Sequence, residues 1–146
     1  MTVQYKFRPM EEADVPEVMQ LMSSIPELSL RDYETLEQLS LAVRLNYPCP
    51  QVATYGDAIV AGCFLLNNTL RGELLHLFVH PSHRHLGIAG CLIQQSLERF
   101  KQSSTVTRIF ARVLKGNTLM DLTLLKAGFR HSSESGGIIT AYTIDL

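Results

Sequence analysis

The residues best suited to chemistry lie in the segment 84–90, RHLGIAG, which has the composition of a backbone cradle for an anion. It follows an apolar run at 74–79 that is typical of a strand, and it leads into a run at 88–101 that is typical of a helix. A turn from strand into helix leaves the first helical N–H groups unpaired, at the positive end of the helix dipole. The small residues of this turn keep side chains out of the way. The segment therefore predicts a phosphate or pyrophosphate site.

Two histidines lie close to this turn. His76 and His80 are four residues apart, so an uninterrupted strand places them on one face and Leu75, Leu77 and Val79 on the other. An imidazole titrates near neutral pH, so either ring is suited to accept or relay a proton. A hydrogen-bonded structural histidine is the alternative interpretation.

A metal site is not predicted, although four histidines fall within ten residues: His76, His80, His83 and His85. A strand followed by a tight turn does not bring four such rings together as a tetrahedral site, and no cysteine stands at ligand spacing beside them. The three cysteines, Cys49, Cys63 and Cys91, form an odd set without CxxC spacing. This pattern argues against a disulfide framework and against a zinc knuckle.

The elements that must position these residues follow from the apolar periodicity of the chain. The predicted order is β-α-α-β-β-β-α-β-α-β-β, in a single domain spanning residues 1–146. The strands are predicted at residues 6–10, 51–55, 58–66, 73–79, 106–113, 129–131 and 137–146. The helices are predicted to run through 15–22, from about 31 to 47, over 88–101 and over 117–127.

Composition excludes several classes of protein. The chain has 46% apolar and 18% charged residues, and no apolar run reaches the roughly 18 residues that a membrane helix needs. The scattered Lys and Arg residues and a pI near 6.5 do not predict nucleic-acid binding. The first residues, MTVQYKFRPMEEAD, carry charges where an export signal needs an apolar centre. A cytoplasmic location is therefore expected.

Three sequence matches together resemble the GNAT superfamily of acetyl-CoA-dependent N-acetyltransferases. Val79-x-Pro81 followed by Arg84-x-x-Gly87-x-Ala89 is similar to the coenzyme A signature of that family. Asn117 with Gly128-Phe129 is similar to its N…GF segment, and residues 7–14, FRPMEEAD, are similar to the opening of many members. The matches span nearly the whole chain, and their combination is far more specific than any one of them.

The resemblance implies an α/β (α+β) fold with a mixed central sheet of about six to seven strands, flanked by about four helices. It also implies that two parallel strands splay apart to hold coenzyme A. The backbone N–H groups of the turn would then bind the pyrophosphate, the end of the central strand would pair with the pantetheine arm, and Asn117 would bind that arm or cap its helix. The coenzyme-binding residues so implied are Leu77, Phe78, Val79, Arg84, His85, Leu86, Gly87, Ile88, Ala89, Gly90 and Asn117.

The same resemblance suggests roles in catalysis. An N–H near Phe78 or Val79 would stabilise the oxyanion, and Glu73, which opens the central strand, is the first candidate for the base. An exposed charge at the strand end is the alternative for Glu73, and His76 is the rival base. The usual acid, a tyrosine, is replaced by Leu124; Tyr142 or water are the candidates to replace it. A thiolate of pKa about 8.5 needs little help to leave.

The implied reaction moves an acetyl group from acetyl-CoA to a primary amine of a small molecule or peptide, by direct attack in a ternary complex. The first two helices would form the acceptor wall, and their charges favour a cationic acceptor, such as a polyamine, an amino-acid-like amine or a peptide lysine. These charges are Glu27, Asp32, Glu34 and Glu37 against Arg31 and Arg44. Two alternatives stay open: a coenzyme-binding sensor or subunit without activity, which Leu124 favours, and a purely structural domain. A homodimer through the last strands is also expected.

Overall fold

A single mixed sheet of seven strands organises the computed structural model, which describes residues 4–25, 36–45, 50–68, 71–103 and 106–146. The strand order across the sheet is β1-β2-β3-β4-β5-β7-β6, and β4 and β5 form its parallel pair. The other neighbouring strands are antiparallel. The strands are β1 Tyr5–Pro9, β2 Gln51–Tyr55, β3 Ala58–Asn68, β4 Arg71–Val79, β5 Arg108–Leu114, β6 Arg130–His131 and β7 Ile139–Asp145.

Four α-helices cover the two faces of this sheet in the described part of the chain. They are α1 Val15–Ser23, α2 Leu36–Leu45, α3 Ile88–Ser103 and α4 Thr118–Lys126. The start of α1 is fixed locally: Asp14 accepts a hydrogen bond from the Glu11 N–H at 2.8 Å and a two-pronged ion pair from Arg8 on β1. That guanidinium also holds the pKa of Asp14 below its usual range. The charge pair ties the first strand to the helix that follows it.

The core lies on both faces of the sheet. On one face, α1 and α2 bury a cluster that includes Val18, Met22 and Phe78. On the opposite face, α3 and α4 bury a larger cluster that includes Phe100 and Leu124. Each helix contributes the apolar stripe that its 3.6-residue period places toward the sheet.

A β-bulge interrupts β4. Phe78 lies opposite Gly62 on β3, whereas Leu75 lies opposite Phe64, so two residues of β4 stand against one residue of β3. The expectation that Leu75, Leu77 and Val79 alternate regularly with the histidines is therefore wrong. Leu77 packs into the same cluster as Leu74, although an odd number of positions separates them. The Phe78 ring packs directly on the backbone of Gly62, where a Cβ would lie only 2.7 Å from the ring.

The parallel strands β4 and β5 separate along their length. They are paired at four positions, from Arg71 opposite Arg108 to Leu74 opposite Ala111. Beyond that point the described strands form no further pair, although β4 continues to Val79 and β5 to Leu114. The sheet thus holds a wedge-shaped gap between the carboxyl ends of its two central strands.

This architecture confirms the predicted fold class and order of elements. The predicted boundaries of the seven strands and of α1, α3 and α4 agree with the structure to within a few residues. The predicted ends of the second helix, near residues 31 and 47, and Cys49 lie outside the described residues.

Candidate functional site

A cavity of about 990 Å³ lies beside the end of β4, where this strand no longer pairs with β5. Its walls are the end of β4, the turn that follows it, the first turns of α3 and most of α4. Ten of the residues implied by the sequence as coenzyme-binding line this cavity: Leu77, Phe78, Val79, Arg84, His85, Gly87, Ile88, Ala89, Gly90 and Asn117. Leu86 belongs to the same turn but is 59% exposed and does not line the cavity.

The turn from β4 into α3 has an unusual backbone. His85 has a positive φ of 66°, and Gly87 has a φ of 82°. Glycine adopts such angles without strain, whereas a residue with a Cβ does so rarely. Two residues with positive φ so close together curve the chain, and turns with such residues can form anion-binding nests of backbone N–H groups.

The first turn of α3 presents unpaired donors to the cavity. The Gly87 carbonyl accepts the first helical hydrogen bond, from the Cys91 N–H at 3.1 Å. No described residue accepts a hydrogen bond from the N–H groups of Ile88, Ala89 or Gly90. These donors stand at the positive end of a 16-residue helix, so the local chemistry favours an anion.

Arg84 braces the turn against the strand. Its Nε donates a hydrogen bond to the Val79 carbonyl at 3.1 Å. The side chain is only partly exposed, and it also lines the cavity. Its position is therefore compatible with the predicted contact to the coenzyme as well as with support of the turn.

The last residues of β4 direct one backbone donor into the gap. The His80 N–H donates to the Val60 carbonyl on β3 at 2.7 Å. Because alternate residues of an antiparallel pair turn their N–H groups to opposite edges, the N–H of Val79 points away from β3. Between the two positions expected to hold an oxyanion donor, Phe78 and Val79, this alternation favours Val79.

The charges around the cavity suit an anionic ligand. The described lining includes Arg84 and Lys126 together with His83 and His85, and it includes no carboxylate. Apolar groups from β4 and α3 complete the walls near the sheet. A polyanion with an uncharged arm matches this distribution.

Asn117 begins α4 at the far side of the gap. Its side-chain oxygen accepts a hydrogen bond from the Met120 N–H at 3.3 Å, so it caps the helix. The residue also lines the cavity. The two interpretations given by the sequence, capping and ligand contact, are thus both available to it.

Glu73 lies outside the cavity lining, on the sheet face opposite α3. Its Oε1 accepts hydrogen bonds from Arg112 at 2.7 Å and from Arg71 at 3.2 Å, and the side chain is 16% exposed. No described residue donates to its Oε2. Two guanidinium groups therefore hold the carboxylate in place and leave one of its oxygens open. The alternative prediction, an exposed charge at the strand end, does not fit this environment.

The histidines near the turn divide into three cases. The backbone of His76 belongs to β4, and its side chain lies outside the described residues. His80 accepts a hydrogen bond at Nδ1 from the Ser82 N–H, so it has a structural partner. His83 lies 2.8 Å from the Tyr5 hydroxyl through its Nδ1 and stacks near Tyr55. No group of three or more metal-ligating side chains is found among the described residues.

Leu124, which stands in place of the usual acid, and Tyr142, a candidate to replace that acid, both lie in the core. Leu124 is 1% exposed and packs against the sheet. The Tyr142 hydroxyl donates to Asp121 at 2.7 Å, and burial together with this carboxylate raises the pKa of Tyr142 to about 12. Neither residue lines the cavity.

Sequence reasoning missed part of the lining. Cys91, Gln94 and Gln95 follow Gly87 at helical spacing on one face of α3, a signal that was present in the sequence. The contributions of Phe7 and Ile25 depend on tertiary packing and left no such signal. Of the predicted acceptor wall, Glu37 is exposed and Arg44 pairs with Glu12 at 2.6 Å; the remaining charges, Glu27, Arg31, Asp32 and Glu34, lie outside the described residues.

Comparison with known proteins identifies relatives of this arrangement. The model of the acetyltransferase (GNAT) family matches residues 15–129. No sequence among the curated proteins matches the chain. No described helix is long and apolar enough to cross a membrane.

Three solved structures share the fold over nearly the whole length of both chains. A GNAT-family acetyltransferase from Streptococcus pneumoniae has 14% identity and a TM-score of 0.83, covering 98% of this chain and 99% of its own. The PaiA N-acetyltransferase of Thermoplasma acidophilum, in complex with coenzyme A, has 15% identity and a TM-score of 0.82, with the same coverage. The diaminobutyrate acetyltransferase EctA of Paenibacillus lautus, in complex with L-2,4-diaminobutyric acid and coenzyme A, has 16% identity, a TM-score of 0.79 and coverage of 99% and 96%.

Proposed function

The chain belongs to the acetyltransferase (GNAT) family, and we propose that it transfers the acetyl group of acetyl-CoA to a primary amine, by direct attack within a ternary complex. The observation that carries this proposal is the gap between β4 and β5. It combines unpaired helical N–H groups, a cationic lining and an open strand edge in one cavity of about 990 Å³.

The residues of the turn have a defined role in this proposal. The N–H groups of Ile88, Ala89 and Gly90 bind the pyrophosphate, and Arg84 keeps the turn against the strand. The open edge of β4 pairs with the pantetheine arm, and Asn117 contacts that arm from α4. The N–H of Val79 donates to the thioester oxygen as negative charge develops on it, a contact worth about 3–4 kcal/mol when preorganised.

Glu73 is the proposed base. An alkylammonium of pKa about 10.4 must lose a proton before its nitrogen can attack. Arg71 and Arg112 fix one carboxylate oxygen of Glu73, and the other oxygen has no described donor, so it is available to the amine. Glu73 accepts one proton of the ammonium. The neutral nitrogen then forms a bond to the carbonyl carbon, the carbon–sulfur bond breaks, and the second proton leaves the nitrogen through water as the thiolate departs. His76 or water is the alternative acceptor.

The departing thiolate needs no dedicated acid in this scheme. Leu124 carries no acidic hydrogen, and the Tyr142 hydroxyl is engaged with Asp121. A thiol of pKa about 8.5 is a good leaving group at neutral pH, and water supplies the proton afterwards. The absence of the tyrosine at position 124 is therefore compatible with turnover. The homodimer and the cytoplasmic location stay predictions.

The decisive experiment measures binding and turnover separately. Calorimetry with acetyl-CoA tests the cavity, and release of coenzyme A thiol with a panel of amines tests the reaction. We expect binding together with amine-dependent thiol release. Tight binding without such release favours a coenzyme sensor or subunit, and the absence of binding favours a purely structural domain.

The base is tested by Glu73→Gln, which keeps the shape of the side chain but removes the proton acceptor. The expected result is a loss of kcat of about 100-fold or more, together with a changed pH–rate profile. Glu134→Gln is the matched control, because Glu134 also pairs with Arg71, at 3.0 Å, but is 41% exposed. An unchanged pH–rate profile in Glu73→Gln assigns the role to His76 or water.

A further inference from the structure

The sheet face opposite α3 and α4 carries a band of charge across β4, β5, β6 and β7. Side chains at alternate positions of β5 point to this face, whereas the intervening Ile109, Ala111 and Val113 are buried in the core beneath α3 and α4. The arginines of the band are Arg71, Arg108, Arg112 and Arg130, and its carboxylates are Glu73, Glu134 and Asp145. Arginine forks of this kind suit recognition of a carboxylate.

Three of the four arginines lie at the paired end of β4 and β5 and are committed to partners there. Arg71 binds Glu73 and Glu134 and stacks on the Phe110 ring at 3.7 Å. Arg108 and Arg130 both bind Asp145, at 2.8 and 3.0 Å, at the start of β5.

Arg112 differs from them in both bonding and position. Only its Nη1 has a described partner, Glu73, and no described residue accepts from its Nη2 or Nε. The side chain is 38% exposed. Arg112 is also the first residue of β5 beyond the last pair with β4, so it stands where the strands begin to separate. An acceptor that approaches the gap from this face meets Arg112 and Glu73 together.

We infer that Arg112 binds the carboxylate of an amino-acid-like acceptor whose amine is presented to Glu73. This inference rests on the proposed acetyl transfer and names its substrate class. The free edge of Arg112 donates to the acceptor carboxylate, while Oε2 of Glu73 accepts from the acceptor amine. Each charged group then has two neighbours of opposite charge: Arg112 lies between Glu73 and the acceptor carboxylate, and Glu73 lies between Arg112 and the acceptor ammonium.

The geometry also limits the spacing within the acceptor. Arg112 Nη1 and Glu73 Oε1 are 2.7 Å apart, so the two binding groups are neighbours. A carboxylate a few bonds from the amine reaches both groups, as in an α-amino acid. A polyamine has no group for Arg112, and the lysine side chain of a peptide carries no nearby carboxylate.

The test compares acceptors that differ in one carboxylate. Thiol release is measured for L-amino acids, for the corresponding amino-acid amides and for the decarboxylated amines, with spermidine and a lysine peptide as further acceptors. We expect kcat/KM to be at least about tenfold higher for the acids than for either counterpart that lacks the carboxylate. Equal or higher activity with the amides, the polyamine or the peptide overturns the inference while leaving acetyl transfer intact. Absence of thiol release with every amine overturns both.

Variants separate recognition from positioning of Glu73. Because Arg112 also holds Glu73, Arg112→Gln is expected to lower kcat for both acceptor types; for the acids alone it should in addition raise KM by about tenfold or more. Arg112→Lys keeps the charge but loses the fork, so it should restore only part of the preference. An equal loss of kcat/KM for both acceptor types, without the added rise in KM for the acids, means that Arg112 only orients Glu73, and this result overturns the inference.

The matched control is Arg108→Gln, which removes an arginine from the same face of the same strand but away from the gap. It should leave the preference for acids unchanged. Thermal melting and acetyl-CoA binding are measured for each variant. Since Arg112 does not line the coenzyme cavity, its variants should keep both properties.

Discussion

Gly87 and Gly90 lack side chains for two different reasons. Gly87 has a φ of 82°, so any other residue there strains the backbone by about 1–2 kcal/mol. Gly90 lies within α3 and needs no such angle. A Cβ on Gly90 would meet no atom of the protein within 4 Å, yet the residue lines the cavity. The fold therefore does not require glycine at this position, whereas a ligand in the cavity gains the space that a side chain would take.

We therefore predict that substitutions of Gly90 weaken coenzyme binding without weakening the fold. Gly90→Ala should raise thermal stability slightly, because alanine is the better helix former by up to about 1 kcal/mol. Gly90→Leu should raise the Kd for acetyl-CoA by about tenfold or more, since its side chain blocks the charged contact to the N–H groups. Calorimetry and thermal melting give the two quantities. Gly136→Ala, outside the cavity, is the control, and unchanged affinity in Gly90→Leu contradicts the placement of the anion.

The described cysteines differ sharply in environment. Cys63 is fully buried, and burial raises the pKa of its thiol to about 12. Cys91 is exposed on the first turn of α3 and lines the cavity. Because the thiolate is the reactive form, only the second of these cysteines is expected to react at moderate pH.

Alkylation with iodoacetamide at pH 8 should thus label Cys91 and leave Cys63 unmodified in the folded protein. Acetyl-CoA should slow the labelling of Cys91 in proportion to occupancy of the cavity. Peptide mass spectrometry follows each cysteine separately, and Cys91→Ser identifies the signal. Labelling of Cys91 that saturating acetyl-CoA leaves unaffected counts against the proposed binding mode.

Among the secondary structure elements, the strands and helices could be predicted because their signals are local. The hairpin of β2 and β3 has a Gly-Asp turn, and α3 and α4 begin at a glycine and at Asn117. The bulge in β4 could not be predicted in this way. The sequence LLHLFV is nearly continuous in apolar residues, so it shows no break in alternation; only the pairing with β3 defines the extra residue.

The candidate site shows the same division. The turn at 84–90 could be predicted because strand, glycines and helix follow one another in sequence. The ion pairs of Glu73 with Arg71 and Arg112 could not, because the second partner lies 39 positions away and meets Glu73 only through the parallel pairing of β4 with β5. Contacts of that kind depend on sheet order, which the sequence does not state.

A partly buried hydrogen bond between Tyr142 and Asp121 joins β7 to α4. Tyr142 is 1% exposed, and its hydroxyl donates to Asp121 on α4. Burial and the nearby carboxylate both oppose ionisation of the phenol, which raises its pKa to about 12, against an ordinary value near 10. Folding therefore favours the protonated tyrosine.

A pH dependence follows from this shift. Below pH 10 both folded and unfolded chains hold the proton, so the contribution of Tyr142 to the free energy of unfolding is constant. Between pH 10 and about 12 the unfolded chain loses the proton first, so stability falls with rising pH, by at most about 1.4 kcal/mol per unit. Denaturant titrations of the wild type and Tyr142→Phe should show a difference that shrinks over this range. Tyr55→Phe, at a 46% exposed position, is the control for the substitution itself.

On the scale of the whole molecule, the sheet consists of two parts. Strands β1 to β4 carry α1, α2 and α3, and strands β5 to β7 follow with α4. The described strands of the two parts pair only over the first half of β4. The cavity lies where they separate, and its lining comes from both parts, with residues 77–95 on one side and 116–127 on the other.

A ligand that fills this gap should therefore stabilise the molecule as a whole and not only the turn that binds its phosphates. At a hundredfold excess over Kd, mass action adds about 2.7 kcal/mol to the free energy of unfolding. For a chain of this size, that corresponds to a rise in Tm of about 5–10 °C. Hydrogen exchange should show slower exchange at the end of β5 and in α4 as well as in α3, because the ligand contacts both parts. With a Kd about tenfold higher, Gly90→Leu should keep only about half of this stabilisation at the same acetyl-CoA concentration. Protection confined to residues 84–90 would mean that the ligand binds the turn without bridging the gap, and the pantetheine arm would then need a different path.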